Sequence, residues 1–325
     1  MACLATSPRF CSPRLLGLLC FFLLIAAAPA AEDENASRLY ARAMRLMAEG
    51  EAEEALDRFN TIATRYRRSE TCALALWEIY RIQEHLDSPE AAFEALNRLA
   101  TEQPGHFEKA HAAQLILVRR LLGAGKEARR TLEAPRASQV VEPEVIAAML
   151  SAIIKSGPQS EVGIQARYHL ALAQEKAGER KEAQGTYEDF AETYPKHELA
   201  DDAGYQAACI AYKNWQATRG TGPRQRDAAA VALAWFIARF PESDKAAQAR
   251  SCLAEVRHAE QRELISLARY YESRDNATAA SYYYQQLALK FPEMAAAESP
   301  LREKIAKAIE PPELKAALPS AELDR

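Results

Sequence analysis

The sequence predicts an all-α solenoid built from stacked helical hairpins, and three observations carry that reading. The first is a corner: AWFIARFPESDKAAQAR (residues 234–250) runs as an apolar helix to Phe240, stops at Pro241 and restarts at once. Pro241 lacks an N–H and disfavours a helical Phe240, and Ser243 or Asp244 is then placed to cap the next helix. Nearly the same corner returns in DFAETYPKHELADDA (189–203) and QQLALKFPE (285–293). The second is a fixed set of offsets: Phe236, Leu233 and Ala229 stand five, eight and twelve residues before Pro241, on one helical stripe. The third is a glycine five residues before the corresponding alanine in three copies, Gly50, Gly123 and Gly178, where a left-handed turn between two helices costs little.

In chain order, residues 1–30 read as a signal peptide. Arg9 and Arg14 precede the apolar LLGLLCFFLLIAAA, and Ala28-Pro29-Ala30 has the small-x-small form of a cleavage site. That run is short for a membrane span. Cys20 follows Gly17-Leu18-Leu19, and the bulky Leu19 argues against lipidation. The first hairpin carries Ala55, Phe59 and Ile62, with Arg67 in place of the proline; the second carries Ala92, Leu96, Leu99 and Pro104. A partial copy follows at Ala128, Leu132 and Pro135, and PEVIAAMLSAIIKSG (143–157) predicts an additional helix. Residues 164–195 form the clearest unit, with Ala183, Tyr187, Phe190 and Pro195. TRGTGPRQR (218–226) reads as an inserted loop, a long helix is expected over 244–273, and Ala280, Tyr284, Leu287 and Pro292 make the last copy. About fourteen helices result, and the tail from Pro311 reads as flexible. A lone hairpin leaves an apolar face bare, so stability must come from stacking, and Phe59, Tyr187, Phe236 and Tyr284 are expected in the core.

Of 325 residues, 49% are hydrophobic and 26% charged, enough for a continuous core. Without Arg9 and Arg14 the chain holds 39 basic against 45 acidic residues, a net charge of −6, which excludes nucleic acid as the main partner. Only Cys72, Cys209 and Cys252 follow the signal segment; they suggest no disulfide framework, and Cys209 and Cys252 read as two separate buried thiols rather than a pair. No catalytic residue, metal site or cofactor is expected. His106 and His111 lie five apart and outside any HExxH, and GAGKEA (123–128) has Glu127 where a phosphate loop needs Ser or Thr. The sequons at Asn35 and Asn276 read as chance.

The Gly, Ala, aromatic and Pro register resembles the tetratricopeptide repeat, whose unit is about 34 residues. That resemblance implies a right-handed superhelix in which the first helix of each hairpin lines a concave, peptide-binding face. Carried onto this sequence, its groove positions select Tyr40, then Trp77, Arg81 and Glu84, then Tyr168, Glu175 and Lys176, and finally Arg269 and Glu272. Tyr270, Tyr271, Tyr282 and Tyr283 suggest a further interface near the C-terminal end.

From about Ser160 to Glu293 the likeness narrows. Phe236, Phe240, Pro241, Ser243, Ala246 and Ala249, then Glu263, Ala268, Tyr270 and Tyr271, then Ala279, Ala280, Phe291 and Pro292 resemble the BamD family, tetratricopeptide lipoproteins of the outer-membrane β-barrel assembly machinery. The resemblance implies a periplasmic, non-enzymatic scaffold peripheral to the outer membrane, with β-barrel assembly subunits or unfolded outer-membrane proteins as partners. The alternative is a periplasmic tetratricopeptide coordinator of cell-wall synthesis and envelope constriction. The expected organisation is a signal peptide (1–30), N-terminal hairpins (31–158), a BamD-like region (159–310) and a tail (311–325).

Overall fold

The computed structural model describes residues 32–127, 141–218, 222–296 and 300–309; the signal segment, the partial copy at Ala128 and the tail lie outside them. The fold is all-α. Its helices are α1 (32–49), α2 (Ala52–Arg65), α3 (Glu70–His85), α4 (Pro89–Glu102), α5 (Phe107–Glu127), α6 (Pro143–Ser156) and α7 (Glu161–Ala177). These are followed by α8 (Arg180–Thr193), α9 (Ala200–Ala217), α10 (Pro223–Arg239), α11 (Ala246–Glu272), α12 (Ala277–Lys290), α13 (Pro292–Ala296) and α14 (Pro300–Ile309). The chain divides into two compact units, residues 1–183 and 184–325.

Among the described residues, every alanine of the stripe is buried. Ala55, Ala92, Ala183 and Ala229 have no exposed surface and Ala280 almost none. The larger residues four and seven positions later are buried with them: Phe59 and Ile62, Leu96 and Leu99, Tyr187 and Phe190, Leu233 and Phe236, Tyr284 and Leu287. A small side chain lets two helix axes approach, and its larger neighbours fill the space beside the crossing. In each copy the helix ends alike. The N–H of Tyr66, Gln103, Tyr194, Phe240 or Phe291 donates to the carbonyl of the stripe residue four earlier, at 2.9–3.2 Å. The carbonyl of that capping residue then accepts from the N–H three residues on, so the corner is the same even where Arg67 replaces proline.

In four of the five described copies the entry into the second helix also follows a rule, the Ala229 copy being the exception. Gly50 and Gly178 have φ of +87° and +86°, the left-handed conformation expected of them. Asp87 and Asp275, at φ 53° and 55°, stand five residues before Ala92 and Ala280 and make the same turn without glycine. Aspartate tolerates this region better than most side chains. Gly123, by contrast, lies within α5 and closes no turn. The supposed loop at 218–226 is also shorter than expected: α10 begins at Pro223, a proline suited to a first helical turn, leaving a connection of 218–222. At the next corner Lys245, not Ser243 or Asp244, is the cap position, and Ser243 Oγ accepts from the Lys245 N–H at 3.3 Å. Asn276 is no idle sequon, since its side chain caps α12 by accepting from the Ala279 N–H at 3.1 Å.

In the first unit, α1 to α4 enclose one apolar cluster around Phe59, Ile62 and Leu76, and α4 to α7 a second around Leu96, Leu117 and Leu150. Successive hairpins are also pinned by polar bonds. Arg98 Nη2 donates to the Ala63 carbonyl at 2.8 Å and Gln103 Nε2 to the Arg67 carbonyl at 2.7 Å. Fully buried His111 donates through Nε2 to the Ile153 carbonyl at 2.9 Å, so it is a packed imidazole joining α5 to α6. In the second unit, α9 to α11 pack around Trp215, Leu233 and Phe236, and α11, α12 and α14 around Tyr284, Leu287 and Ile305. Buried Arg226 of α10 pairs with Glu263 of α11, bonds Asp227 at 3.0 Å and lies 3.9 Å from Glu260, which also pairs with Lys290 of α12.

Two outcomes follow from these constraints. Phe59→Ala costs about 3–5 kcal/mol in urea unfolding, because its ring fills the α1–α2 seam with no exposed surface. Gly178→Ala costs about 1–2 kcal/mol by forcing an alanine to positive φ, whereas Asp275→Gly lowers the urea midpoint not at all.

Candidate partner-binding surfaces

In the first unit, the first helices of successive hairpins bring most of the selected side chains onto one face. On α3 the spacing of Trp77, Arg81 and Glu84 by four and three residues puts them on a single stripe. Trp77 is half-buried, tilted against Tyr80 with ring centroids 5.4 Å apart, and Lys109 Nζ of α5 sits 4.0 Å from its ring centroid. Such a cation over an indole face is attracted by the ring quadrupole. Arg81 donates to both carboxylate oxygens of Glu78 at 3.0 and 3.2 Å. Glu84 reaches Arg120 of α5 at 2.8 Å. Burial, and then the Glu84 carboxylate as hydrogen-bond partner, push the Tyr80 hydroxyl up to about 12, so it stays a donor. Tyr40 of α1 meets Phe59 edge-on at 5.5 Å, and burial followed by the charge of Glu78 raises its hydroxyl above the usual tyrosine range.

Lys109 and Arg120 were not among the residues the sequence selected. Both belong to α5, whose repeat is the partial one. Yet Arg120 stands eight residues before Ala128, as Glu84, Glu175 and Glu272 stand eight before their own alanines, so the offset could have found it. Lys109, Ala113, Ile116 and Arg120 form one stripe of α5, and Ile116 within it is 67% exposed. The face therefore combines an aromatic pair, an exposed aliphatic side chain and charges of both signs.

The remaining selected residues are arranged differently. Tyr168 on α7 packs edge-on against His169 at 5.5 Å, and Lys176 donates to the Leu122 carbonyl of α5, tying α7 to α5. Glu175 lies on the same last turn of α7. In the second unit Arg269 is exposed, and Glu272 pairs with Lys304 of α14 at 2.8 Å, which lowers its carboxyl and raises the lysine. Beside them runs a tyrosine ladder. Tyr270 meets Tyr271 edge-on at 5.3 Å, Tyr271 stacks on Tyr283 at 5.5 Å and 9°, and Tyr283 meets Tyr282 edge-on at 5.3 Å. The outer rungs, Tyr270 and Tyr282, are 51% and 55% exposed, and Arg274 lies 5.3 Å from the Tyr270 ring centroid. Aromatic side chains with an arginine beside them are frequent anchors in interfaces.

Among the described residues no group of three or more His, Cys, Asp or Glu side chains could hold a metal ion, and no helix is long and apolar enough to cross a membrane. The outer membrane lipoprotein family YfiO, the BamD-like group, matches residues 146–310, half of the chain. The chain belongs to the YfiO family. The family segment takes in most of α6 and all of α7 to α14, with the tyrosine ladder, while the Trp77 face lies ahead of it. No curated protein matches the sequence. Among solved structures, a Podosopora anserina kinesin light chain with nearly identical tetratricopeptide-like repeats is 15% identical, over 65% of this chain and 98% of that one, at a TM-score of 0.30. The apo form of RapI is 12% identical over 80% and 75% of the two chains, at 0.34. PilW, a widely conserved type IV pilus biogenesis factor, is 13% identical over 84% and 99%, at 0.26.

His169, next to the selected Tyr168, gives the first unit an acid sensitivity. Burial, with a smaller contribution from Arg119, holds its imidazole neutral down to about pH 4, against 6.5 for a free histidine. As pH falls from 6.5 to 4 the unfolded chain takes up a proton that the folded chain refuses, so stability present above 6.5 is lost over that window. Urea titrations at pH 7 and pH 4.5 will show a smaller acid loss for His169→Gln than for the parent chain.

Proposed function

We propose that this protein is a non-enzymatic binding scaffold of the bacterial envelope that serves outer-membrane β-barrel protein assembly, taking assembly subunits or unfolded outer-membrane proteins as partners. Membership of an outer membrane lipoprotein family supports the compartment. The observation that carries the binding role is the face of the first unit where Trp77, Tyr80 and exposed Ile116 lie among Arg81, Lys109, Arg120 and Glu84. Rings and an aliphatic anchor supply contact area, and the surrounding charges select the partner and steer its approach. The groove register read from the sequence is part of this proposal, with Tyr40, Trp77, Arg81, Glu84, Tyr168, Glu175 and Lys176 in the first unit and Arg269 and Glu272 in the second.

Trp77 packs against both apolar clusters of the first unit, so its truncation also removes core contacts. The charges and Ile116 are the cleaner test. Crosslinking and affinity capture from envelope fractions should recover β-barrel assembly subunits or unfolded outer-membrane proteins. Ile116→Asp combined with Lys109→Glu should lower that recovery about tenfold or more while the thermal midpoint stays within a few degrees. Recovery of cell-wall synthases instead would replace this reading with that of a cell-wall coordinator.

A further inference from the structure

The second unit contains two cysteines whose placement goes beyond partner binding. Helices α9 and α11 run side by side, and three polar contacts fix their register. Ser243 Oγ donates to Asp201 at 2.8 Å, 42 residues apart. Lys245 Nζ lies 2.8 Å from Asp202. The Tyr212 hydroxyl donates to Glu255, 43 residues apart. Cys209 and Cys252 are also 43 apart and fall between these rungs. The register therefore sets the two thiols opposite one another on neighbouring helices. Neither is in a disulfide, and both are half-buried where the sequence suggested two separate buried thiols; Cys72, in the first unit, is the buried one. Ala208 of α9 and Ala249 of α11 are buried in one apolar cluster, small side chains that suit the close backbones a disulfide needs, with Cα atoms about 4.4–6.8 Å apart. Tyr205, one turn before Cys209, lies near both thiols: burial first, then a hydrogen bond with Cys209 and the nearness of Cys252, raise its hydroxyl far above the usual range.

We propose that Cys209 and Cys252 form a reversible intramolecular disulfide that latches α9 to α11 across α10. An exported family works in a compartment where disulfides persist, unlike the cytosol. The oxidant is a disulfide of a small thiol or of a dithiol oxidase. One cysteine thiolate attacks a sulfur of that disulfide, forming a mixed disulfide and releasing one thiolate. The second cysteine, once deprotonated, attacks the cysteine sulfur of the mixed disulfide, forming the Sγ–Sγ bond and releasing the other thiolate. The two cysteine protons end on the two released thiols, so two cysteines are oxidised and one external disulfide is reduced. The bond closes a long loop in the unfolded chain and holds two successive hairpins of the family segment at fixed spacing.

The test uses the full chain, reduced and then incubated with oxidised glutathione. The expected product is a monomer about 2 Da lighter, with Cys72 still alkylatable after unfolding, a Cys209–Cys252 peptide pair on mass mapping, and a thermal midpoint roughly 5–10 °C higher that reverts on reduction. Cys209→Ser should match the reduced parent in thermal midpoint and show no such shift under oxidant. Alkylation of Cys209 and Cys252 as complete after oxidation as that of Cys72, stable glutathione adducts on either cysteine, or dimers linked through Cys209 or Cys252 would each overturn the latch.

Discussion

One spacing governs the rest of the structure: a residue in the left-handed conformation five positions before a buried alanine. The left-handed residue reverses the chain within a single turn, and the alanine arrives where the second helix crosses the first. With only a Cβ to accommodate, the axes close, and the residues four and seven further on fill the space beside the crossing. A larger side chain at the alanine would hold the axes apart and unseat every contact beyond it. Gly50, Asp87, Gly178 and Asp275 make this reversal, and Ala55, Ala92, Ala183 and Ala280 make the contact.

Apolar stacking by itself is tolerant of sliding, because a leucine packs nearly as well against one neighbour as the next. Polar bonds at the helix ends remove that freedom. Arg98 to the Ala63 carbonyl, Gln103 to the Arg67 carbonyl and Ser243 to Asp201 each join one hairpin to the next at a single register. The Arg226 cluster does the same between α10, α11 and α12, and because its guanidinium is buried, sliding would strand a charge out of water. The core supplies the free energy and these bonds supply the alignment. The cysteine rung between α9 and α11 exists only because that alignment is enforced.

This division also explains what could be read from the sequence. The stripe was legible because apolar periodicity and proline corners are written in residue types that serve no other purpose so regularly, and Phe59, Tyr187, Phe236 and Tyr284 are in the core as the pattern required. The turns were half legible. Glycine announces a left-handed turn, but aspartate at positions 87 and 275 makes one for reasons that composition does not display, and Gly123 shows that a glycine at the right offset can sit inside a helix. Of the candidate surface, Tyr40, Trp77, Arg81 and Glu84 could be named from a register, since they share a hairpin frame. Lys109 could not, because its place over Trp77 is set by packing between helices 32 positions apart.

The chemistry of the two surfaces also decides what kind of binding they support. Their charges are already engaged: Arg81 with Glu78, Arg120 with Glu84, and Lys304 with Glu272. These pairs are at least partly solvated, and exposed ion pairs contribute about 0–1 kcal/mol, so a partner can exchange into them at small cost and gains little affinity by doing so. Affinity must then come from surface that water leaves unfavourably wet: the open edge of Trp77, Ile116 and the outer rungs of the tyrosine ladder. The ions act as a filter on which chain may approach, since a partner with the wrong sign opposite Lys109 or Glu84 would disrupt a pair without replacing it. Under the proposed binding role, such a surface suits segments that bring an aromatic or aliphatic anchor within mixed charge, and holds them weakly enough to be released.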